Sequence, residues 1–461
     1  MTNALEAIWR AAGLPADALQ HLTLTGADPV LPSSFAVGTA AQASLAAAAL
    51  AATVIGERRN GLQQQVRVDM RHAALECTSR FQIDGRIPEL WDRLAGVYLC
   101  GDGRWVRLHT NFAHHRDGVL RLLGLPTGPD TPREAVAAAL LDWQAFAFEE
   151  AAANAGMVVA AVRSFDEWDA HPQSTAIAIQ PLVSIEKIGE AAPLAWPALP
   201  RKASPLHGLR VLDLTRILAG PVGGRTLAAY GADVMLVNSP HLPNIDAIAD
   251  TSRGKLSALA DLRGPAGRDG LRAVLRDAHV VLQGYRPGAL AALGFAPAEV
   301  AGERPGIVVV SLSAYGETGP WAGRRGFDSL VQSATGFNDA EAHAAGSMQP
   351  KALPAQILDM TTGFLIAFGA QAALLRQQAE GGSWHVRVSL ARTGLWLREL
   401  GRIAHGFDAP GADFTGLMET TSCGYGVLEA MRHAAEFSHT PALFTRPSVR
   451  PGTNPLAWPA A

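Results

Sequence analysis

Apolar positions fall into two textures along the chain. From residue 210 to residue 312 they come as short, nearly continuous aliphatic runs: 210–214 (RVLDL), 233–237 (DVMLV), 279–282 (HVVL) and 307–312 (IVVVSL). Helical stretches, 225–230 and 268–277 among them, separate these runs. Continuous apolar strands alternating with helices predict an α/β fold with a mainly parallel sheet covered on both faces. The segment 210–237 reads as a βαβ unit. A strand is followed by a turn punctuated by Ala219-Gly220-Pro221 and Gly223-Gly224, then a helix closed by Gly231, then a second strand.

The first two hundred residues read differently. Residues 43–59 form an alanine-rich helix. Residues 97–100 and 105–109 flank the turn Gly101-Asp102-Gly103 as a hairpin, and 133–156 is helical. This pattern predicts a second, smaller α+β domain. Residues 191–208 carry four prolines and little periodicity, as a linker does. The expected division is 1–203, 204–400 and a tail, 401–461, packed on the larger domain. Residues 45–75 and 365–395 align without a gap: Leu45 with Leu365, Ala52 with Ala372, Gly61 with Gly381, and Val66-Arg67-Val68 with Val386-Arg387-Val388. The shared plan, a small-residue helix, a glycine stop and a VRV strand, predicts a duplicated piece.

With 48% hydrophobic residues among 461, wholesale disorder is excluded. A net charge of −3 argues against a nucleic-acid binder. Cys77, Cys100 and Cys423 are far apart, with no CxxC pair, so neither a disulfide framework nor a zinc finger is expected. The 14 histidines include no HExxH and no cluster with ligand spacing, and His114-His115 reads as a solvated pair. The N-terminus shows no secretory pattern, and the longest apolar run, 45–55, is too short to span a bilayer. No metal, membrane or nucleic-acid partner is expected, and the setting is expected to be cytoplasmic.

Three places carry candidate chemistry. Gly220, Gly223 and Gly224 lie between a strand and a helix. They either present backbone N–H groups to a phosphate or allow tight packing. The spacing is not GxGxxG, and Asn238 stands where a nicotinamide enzyme carries its ribose-binding acid. Asp359 precedes a long helix of small apolar residues; it is either that helix's N-cap or an oriented nucleophile, and spacing does not separate the two. The segment Gly316-Glu317-Thr318-Gly319-Pro320 and Arg325-Gly326-Phe327-Asp328 follows a buried strand. It is placed for substrate contact or is a surface loop, with Asp328 capping the following helix. No GxSxG elbow occurs, and no base can be assigned to Cys423.

At these residues the chain resembles the class III CoA-transferase family, of the CaiB/BaiF type. PLHGLRVLDLTRILAGP, TLAAYGADVMLVNSP, RGKLSALADLRG with HVVLQGYRPGALAALGF, IVVVSLSAYGETGPWAGRRGFDSLVQSATG and ILDMTTGFLIAFGAQAALL follow that family's front half in order over residues 205–400. VRVDMRHAALE, GDGRWVRLH and VVAAVRSFDEWDAHPQ are similar to its back half, which here comes first, so a permuted or partly duplicated order is expected. The resemblance implies a Rossmann-like larger domain. It also implies transfer of CoA from an acyl-CoA to a carboxylic acid through an aspartyl anhydride and thioester, with Asp359 as the catalytic residue. Coenzyme A is then a substrate, not a tightly held cofactor, and the assembly is a homodimer, interlocked in the family. The implied CoA contacts are Ala219, Gly220, Pro221, Asp261, Leu262, Arg263, Tyr285, Arg286 and Gly288, with Gly316, Gly326 and Phe327 on the substrate side. Asn238 and Ala292 replace residues that anchor CoA in the family. In the repeat Thr39 takes the place of Asp359, so one acid site per chain is expected. A non-catalytic acyl-CoA-binding paralogue is the alternative reading. An acyl-CoA racemase is the third, weakened because Gly326-Phe327-Asp328 stands where racemases carry a GHD triplet, and phenylalanine exchanges no proton.

Overall fold

The aliphatic runs become strands because alternate residues of each bury against helices on opposite faces of one sheet. In the computed structural model, which describes residues 2–459, this sheet has seven strands. They are β1 (Ser184–Gly189), β2 (Arg210–Asp213), β3 (Asp233–Asn238), β4 (Lys255–Leu259), β5 (Val280–Gln283), β6 (Val308–Ser313) and β7 (Ser383–Ser389). Their order is β4-β3-β2-β5-β6-β7-β1. All neighbours are parallel except the edge strand β1, which is antiparallel to β7. The chain steps outward from β2 to β4, then returns to lay β5 beside β2. The order therefore reverses between β2 and β5, where a crevice opens at the carboxyl ends of the strands.

Four helices bear on the site: α1 (Val37–Asn60), α2 (Ala219–Ala229), α3 (Asp328–Ala334) and α4 (Ile357–Glu380). One face of the sheet, through Val211, Val280, Val308 and Val310, shares a core with Val222 of α2 and Phe364 of α4. The other face, through Leu212, Val281 and Val309, packs on Leu271 and Val300 of the helices Pro265–Leu275 and Pro297–Glu303. The glycines expected in a loop after β2 lie inside α2 instead, which starts at Ala219. They are there for close approach. A Cβ on Gly223 would sit 2.5 Å from Ile366 Cγ2, and one on Gly363 of α4 would sit 2.7 Å from the Ala219 carbonyl oxygen.

The repeat is present in three dimensions. Helices α1 and α4 are each 24 residues long and keep the sequence register, Val37 with Ile357 and Asn60 with Glu380. Gly61 and Gly381 end them with φ of 72° and 68°. Asp69 and Ser389 then cap the next helices, accepting from the N–H of His72 at 3.1 Å and of Arg392 at 3.2 Å. The apolar run at 45–55, expected to be too short to span a bilayer, is part of the 24-residue α1. By length and composition α1 and α4 both qualify as membrane spans, yet each is packed inside the protein. They pack on one another, with Gln371 Nε2 donating to the Ala48 carbonyl at 3.0 Å.

Residues 94–161 hold a small core of their own under three antiparallel strands, Gly96–Leu99, Trp105–Leu108 and Val159–Ala161. The tail returns to the N-terminal part. Ala435–Phe437 pairs with Val66–Asp69, and Gly426–Met431 pairs with Phe81–Ile83. It also reaches the larger sheet, where Asn454 Oδ1 accepts from the Ser257 N–H at 2.8 Å.

The α2–α4 contact yields a test. Alanine is the better helix former by about 1 kcal/mol, but overpacking a core costs about 1–3 kcal/mol, and here the added methyl meets both the Val222 side chain and the Ala219 carbonyl oxygen. Gly363→Ala is therefore expected to lower stability in urea titration; a gain would contradict this packing.

Candidate active site

The turn after β2 forms the floor of the crevice. Asp213, fully buried, accepts from the Thr215 N–H at 2.9 Å and from the Thr215 hydroxyl. Its other oxygen accepts from Lys255 Nζ at 2.8 Å, and the same ammonium donates to the Pro221 carbonyl at 2.7 Å. Both ions are out of water, so each relies on the other. Together they pin a turn in which Ile217, not a glycine, holds φ of 76°. The turn, the end of β5 and the end of β6 surround a cleft of about 360 Å³. Leu214, Arg216, Leu218, Tyr285, Arg286, Leu312, Phe327 and Asp359 are among the residues lining it.

Asp359 stands at the third position of α4, not at its N-cap, which is Gln356. The capping carboxylate is Asp328. Its Oδ2 accepts from the Asp359 N–H at 2.9 Å, while Oδ1 accepts from Gln332 Nε2. The expectation that Asp328 caps the helix following it is thus corrected: Asp328 is the first residue of α3, and its side chain serves the N-terminus of α4. Sparing Asp359 this task leaves its carboxyl without a hydrogen-bond donor among the described residues. It is 8% exposed and faces the cleft. Burial raises the pKa of both acids. Asp328, which accepts several hydrogen bonds, reaches about 6. Asp359 is raised well above the usual carboxylate range, first by burial and then by the nearby charge of Asp328.

The first copy of the repeat shows the same arrangement without an acid. Asp28 accepts from the N–H groups of Gly38 and Thr39 at 3.0 and 2.9 Å, and also from the Thr39 hydroxyl at 2.7 Å. Asp28 thus takes the place of Asp328, and no second carboxyl is left over at Thr39.

The structure gathers some of the expected residues and separates others. Ala219, Tyr285, Arg286, Gly326, Phe327 and Asp359 line one cleft. Gly220 and Pro221 are buried in the first turn of α2 behind it. Gly288 lines an adjoining pocket of about 120 Å³. Asp261, Leu262 and Arg263 follow the edge strand β4 and do not line the cleft. Arg263 is tied instead to Asp261, Nε to Oδ1 at 2.9 Å, and Asp261 to His241 at 3.0 Å. Gly316, with φ of 88°, packs toward Ile177 rather than the cleft.

Sequence reasoning missed the wall supplied by the N-terminal part. Phe112, His114 and His115 line the same cleft, so His115, expected to be half of a solvated pair, is 3% exposed there. Phe327 lies flat on His109, ring centroids 3.9 Å apart and planes 7° apart. The one usable signal was the adjacent histidine pair after a hairpin; no spacing rule connects it to a strand end a hundred residues later.

Parts of the chain are similar to known proteins. Residues 206–430 match a family model described as CoA-transferase family III. The match spans the turn after β2, the end of β5, Asp328 and Asp359. An acyl-CoA transferase of Gibberella moniliformis is 30% identical over 367 residues, 71% of this chain and 64% of that protein. The succinate–glutarate CoA-transferase of Agrobacterium fabrum is 32% identical over 211 residues, 42% of this chain and 52% of that protein. The chain thus spans less than two thirds of the length of either relative. A CaiB/BaiF family protein of Brucella suis, known from its crystal structure, is 26% identical, with 49% of this chain and 65% of that one covered and a TM-score of 0.37.

The raised pKa of Asp359 has a consequence for stability. Below about pH 4 the group is protonated folded and unfolded, so it contributes nothing. As pH rises above that value the unfolded chain ionises first, and the folded state loses stability until Asp359 itself ionises. Asp359→Asn is expected to raise the unfolding free energy at pH 7 by about 0.5–2 kcal/mol, as removal of an active-site charge often does. The gap should close toward pH 3. Denaturant titration at both pH values checks this; a variant less stable at pH 7 would contradict it.

Proposed function

We propose that the chain is a CoA-transferase that moves CoA from an acyl-CoA to a carboxylic acid, with Asp359 as nucleophile. The observation that carries this reading is the division of labour between two acids. Asp328 takes the backbone hydrogen bond at the head of α4, and the Asp359 carboxyl is left oriented, buried and unbonded against a cleft.

The steps follow from a carboxylate in that position. An Asp359 oxygen attacks the thioester carbon, the C–S bond breaks, and CoA leaves as thiolate, giving an acyl-aspartyl anhydride. The thiolate then attacks the aspartyl carbonyl carbon, releasing the donor acid and leaving CoA in thioester linkage to Asp359. The acceptor carboxylate attacks that thioester carbon and expels the thiolate. The thiolate attacks the acceptor's acyl carbon, which forms the new acyl-CoA and restores the free aspartate. Each addition puts negative charge on a carbonyl oxygen beside the first turn of α2, whose N-terminal end lies at the cleft through Ala219.

Only ionised Asp359 attacks. The burial that raises its pKa therefore sets where activity rises with pH, above the ordinary carboxylate range. Phe327 speaks against proton exchange at that position, since the ring is packed on His109 and carries no transferable proton.

We further propose that residues 1–203 are the family's back half placed ahead of its front half, 204–400. The duplicated helix–strand–helix supports this order. So does a cleft lined within one chain by residues from both parts.

Asp359→Ala is expected to reduce exchange of labelled CoA between an acyl-CoA and a free acid by a factor of about 10⁴ or more, as loss of a covalent nucleophile does elsewhere. Its circular dichroism spectrum should stay that of the wild type. Exchange that persists in this variant would refute the assignment. Binding of acyl-CoA by the wild type with no exchange over a broad panel of acids would favour a binding-only paralogue.

A further inference from the structure

We infer that Gln173 is a positioning residue. From the N-terminal part of the chain its buried carboxamide holds the tip of the loop between β6 and α3, and so fixes the wall against which an acyl-CoA lies beside Asp359. The inference deepens the transferase reading and rests on it for the ligand of the cleft.

The loop leaves β6 at Ser313 and enters α3 at Asp328. Its two limbs line the Asp359 cleft, through Ser313 and Ala314 on the way out and through Ala322 and residues 324–327 on the way back. The tip, 315–321, lines none of the cleft and rests on the helix Pro172–Ala178. There a Cβ on Gly316 would sit 2.9 Å from Ile177 Cδ1, and one on Gly319 would sit 2.5 Å from Gln173 Oε1. Both glycines hold positive φ, 88° and 85°, which lets the tip turn back onto that helix.

Gln173 is fully buried and turns its whole carboxamide to this tip. Nε2 donates to the carbonyls of Tyr315 at 2.6 Å and Thr318 at 2.8 Å, and Oε1 accepts from the Trp321 N–H at 2.7 Å. Carbonyls only accept and an N–H only donates, so these partners fix which way round the amide lies. A carboxylate of the same length would meet both carbonyls with oxygen, and an apolar side chain would leave all three groups unpaired. Unpaired buried backbone groups are costly enough to draw the tip toward water, and the limbs that line the cleft would move with it. The Trp321 ring is held separately, its centroid 4.4 Å from that of His171 and 5.8 Å from that of Trp168, so the loop keeps an anchor when the carboxamide is lost. Asp328 keeps its contacts with Gln332 and the head of α4, so the two acids stay in place. Gln173 does not line the cleft and lies outside residues 206–430; it acts only through the loop.

The test compares the full-length protein with its Gln173→Met and Gln173→Glu variants. Deuterium uptake followed by mass spectrometry should rise over 315–327 in both variants and stay unchanged at the head of α4. Calorimetric titration with acetyl-CoA, in an Asp359→Asn background so that no bond to the chain forms, should show binding weakened about 10- to 100-fold, the loss that an ångström of misplacement brings. In turnover the KM for acetyl-CoA should rise by the same factor while kcat changes by less than about 3-fold, the pattern of a lost binding wall with the reacting acids intact. Thermal unfolding shows that the variants are folded at the assay temperature. Should neither fold, Gly319→Ala, whose methyl would push the tip off the same amide, carries the same expectations. Variants that melt earlier but bind acetyl-CoA as their parent does overturn the proposal, because the amide is then structural only. Unchanged deuterium uptake over 315–327, or a parent that binds no acetyl-CoA, also overturns it. Binding that depends on Gln173 in a protein that transfers no CoA would uphold the strut while the transferase reading failed.

Discussion

The hydrogen bond from the Asp359 N–H to the Asp328 carboxylate is the contact on which the site depends. The first turn of a long helix needs acceptors for its free N–H groups, and an aspartate within that turn ordinarily supplies one. Here the acceptor arrives from α3, across the fold. The consequence is chemical. Asp359 keeps the orientation that a helix start imposes, but neither of its oxygens accepts a hydrogen bond among the described residues. The cost is two buried acids: burial raises the pKa of each, and the charge of Asp328 raises that of Asp359 further. In the first copy of the repeat Asp28 does the same capping work and Thr39 fills the position of Asp359. The capping acid is thus part of the helix start, and the second acid is what distinguishes the two copies.

Around that pair the fold is arranged to hold a turn still. The Asp213–Lys255 ion pair behind the β2 turn is fully buried, and its hydrogen bonds reach Thr215 on one side and Pro221 on the other. Isolated burial of either ion would be prohibitive; as a pair they fix the path of residues 214–219 against the sheet. Glycines at 223 and 363 then let α2 and α4 approach until backbone meets side chain. Position, not mobility, is what this region provides, and the cleft wall next to Asp359 inherits it.

Much of the fold was legible in the sequence because it rests on local pattern. The aliphatic runs at 210, 233, 279 and 307 became parallel strands within a residue or two of their expected ends. The gapless VRV repeat became two helices of equal length. The glycines at 220, 223 and 224 were misplaced, because a glycine-rich start of a helix and a glycine loop look alike until the partner helix α4 is known. The roles of Asp359 and Asp328 were illegible for a similar reason: which acid caps which helix is decided by contacts between elements, not by spacing along the chain. The walls contributed by Phe112 and His115 depend on how the N-terminal part folds back over the strand ends, which no local pattern records. The placement of Asp261 and Arg263 away from the cleft has the same origin, since β4 is the far edge of the sheet.

The central claim is that Asp359 becomes covalently acylated, and trapping that bond tests it most directly. Hydroxylamine added during turnover with an acyl-CoA and a free acid converts an aspartyl anhydride or thioester into an aspartyl hydroxamate, which peptide mass spectrometry locates. The account predicts the hydroxamate on Asp359, dependent on acyl-CoA, with Asp328 unmodified. A protein that exchanges CoA while Asp359 stays unmodified, or that carries the label on another acid, would contradict it.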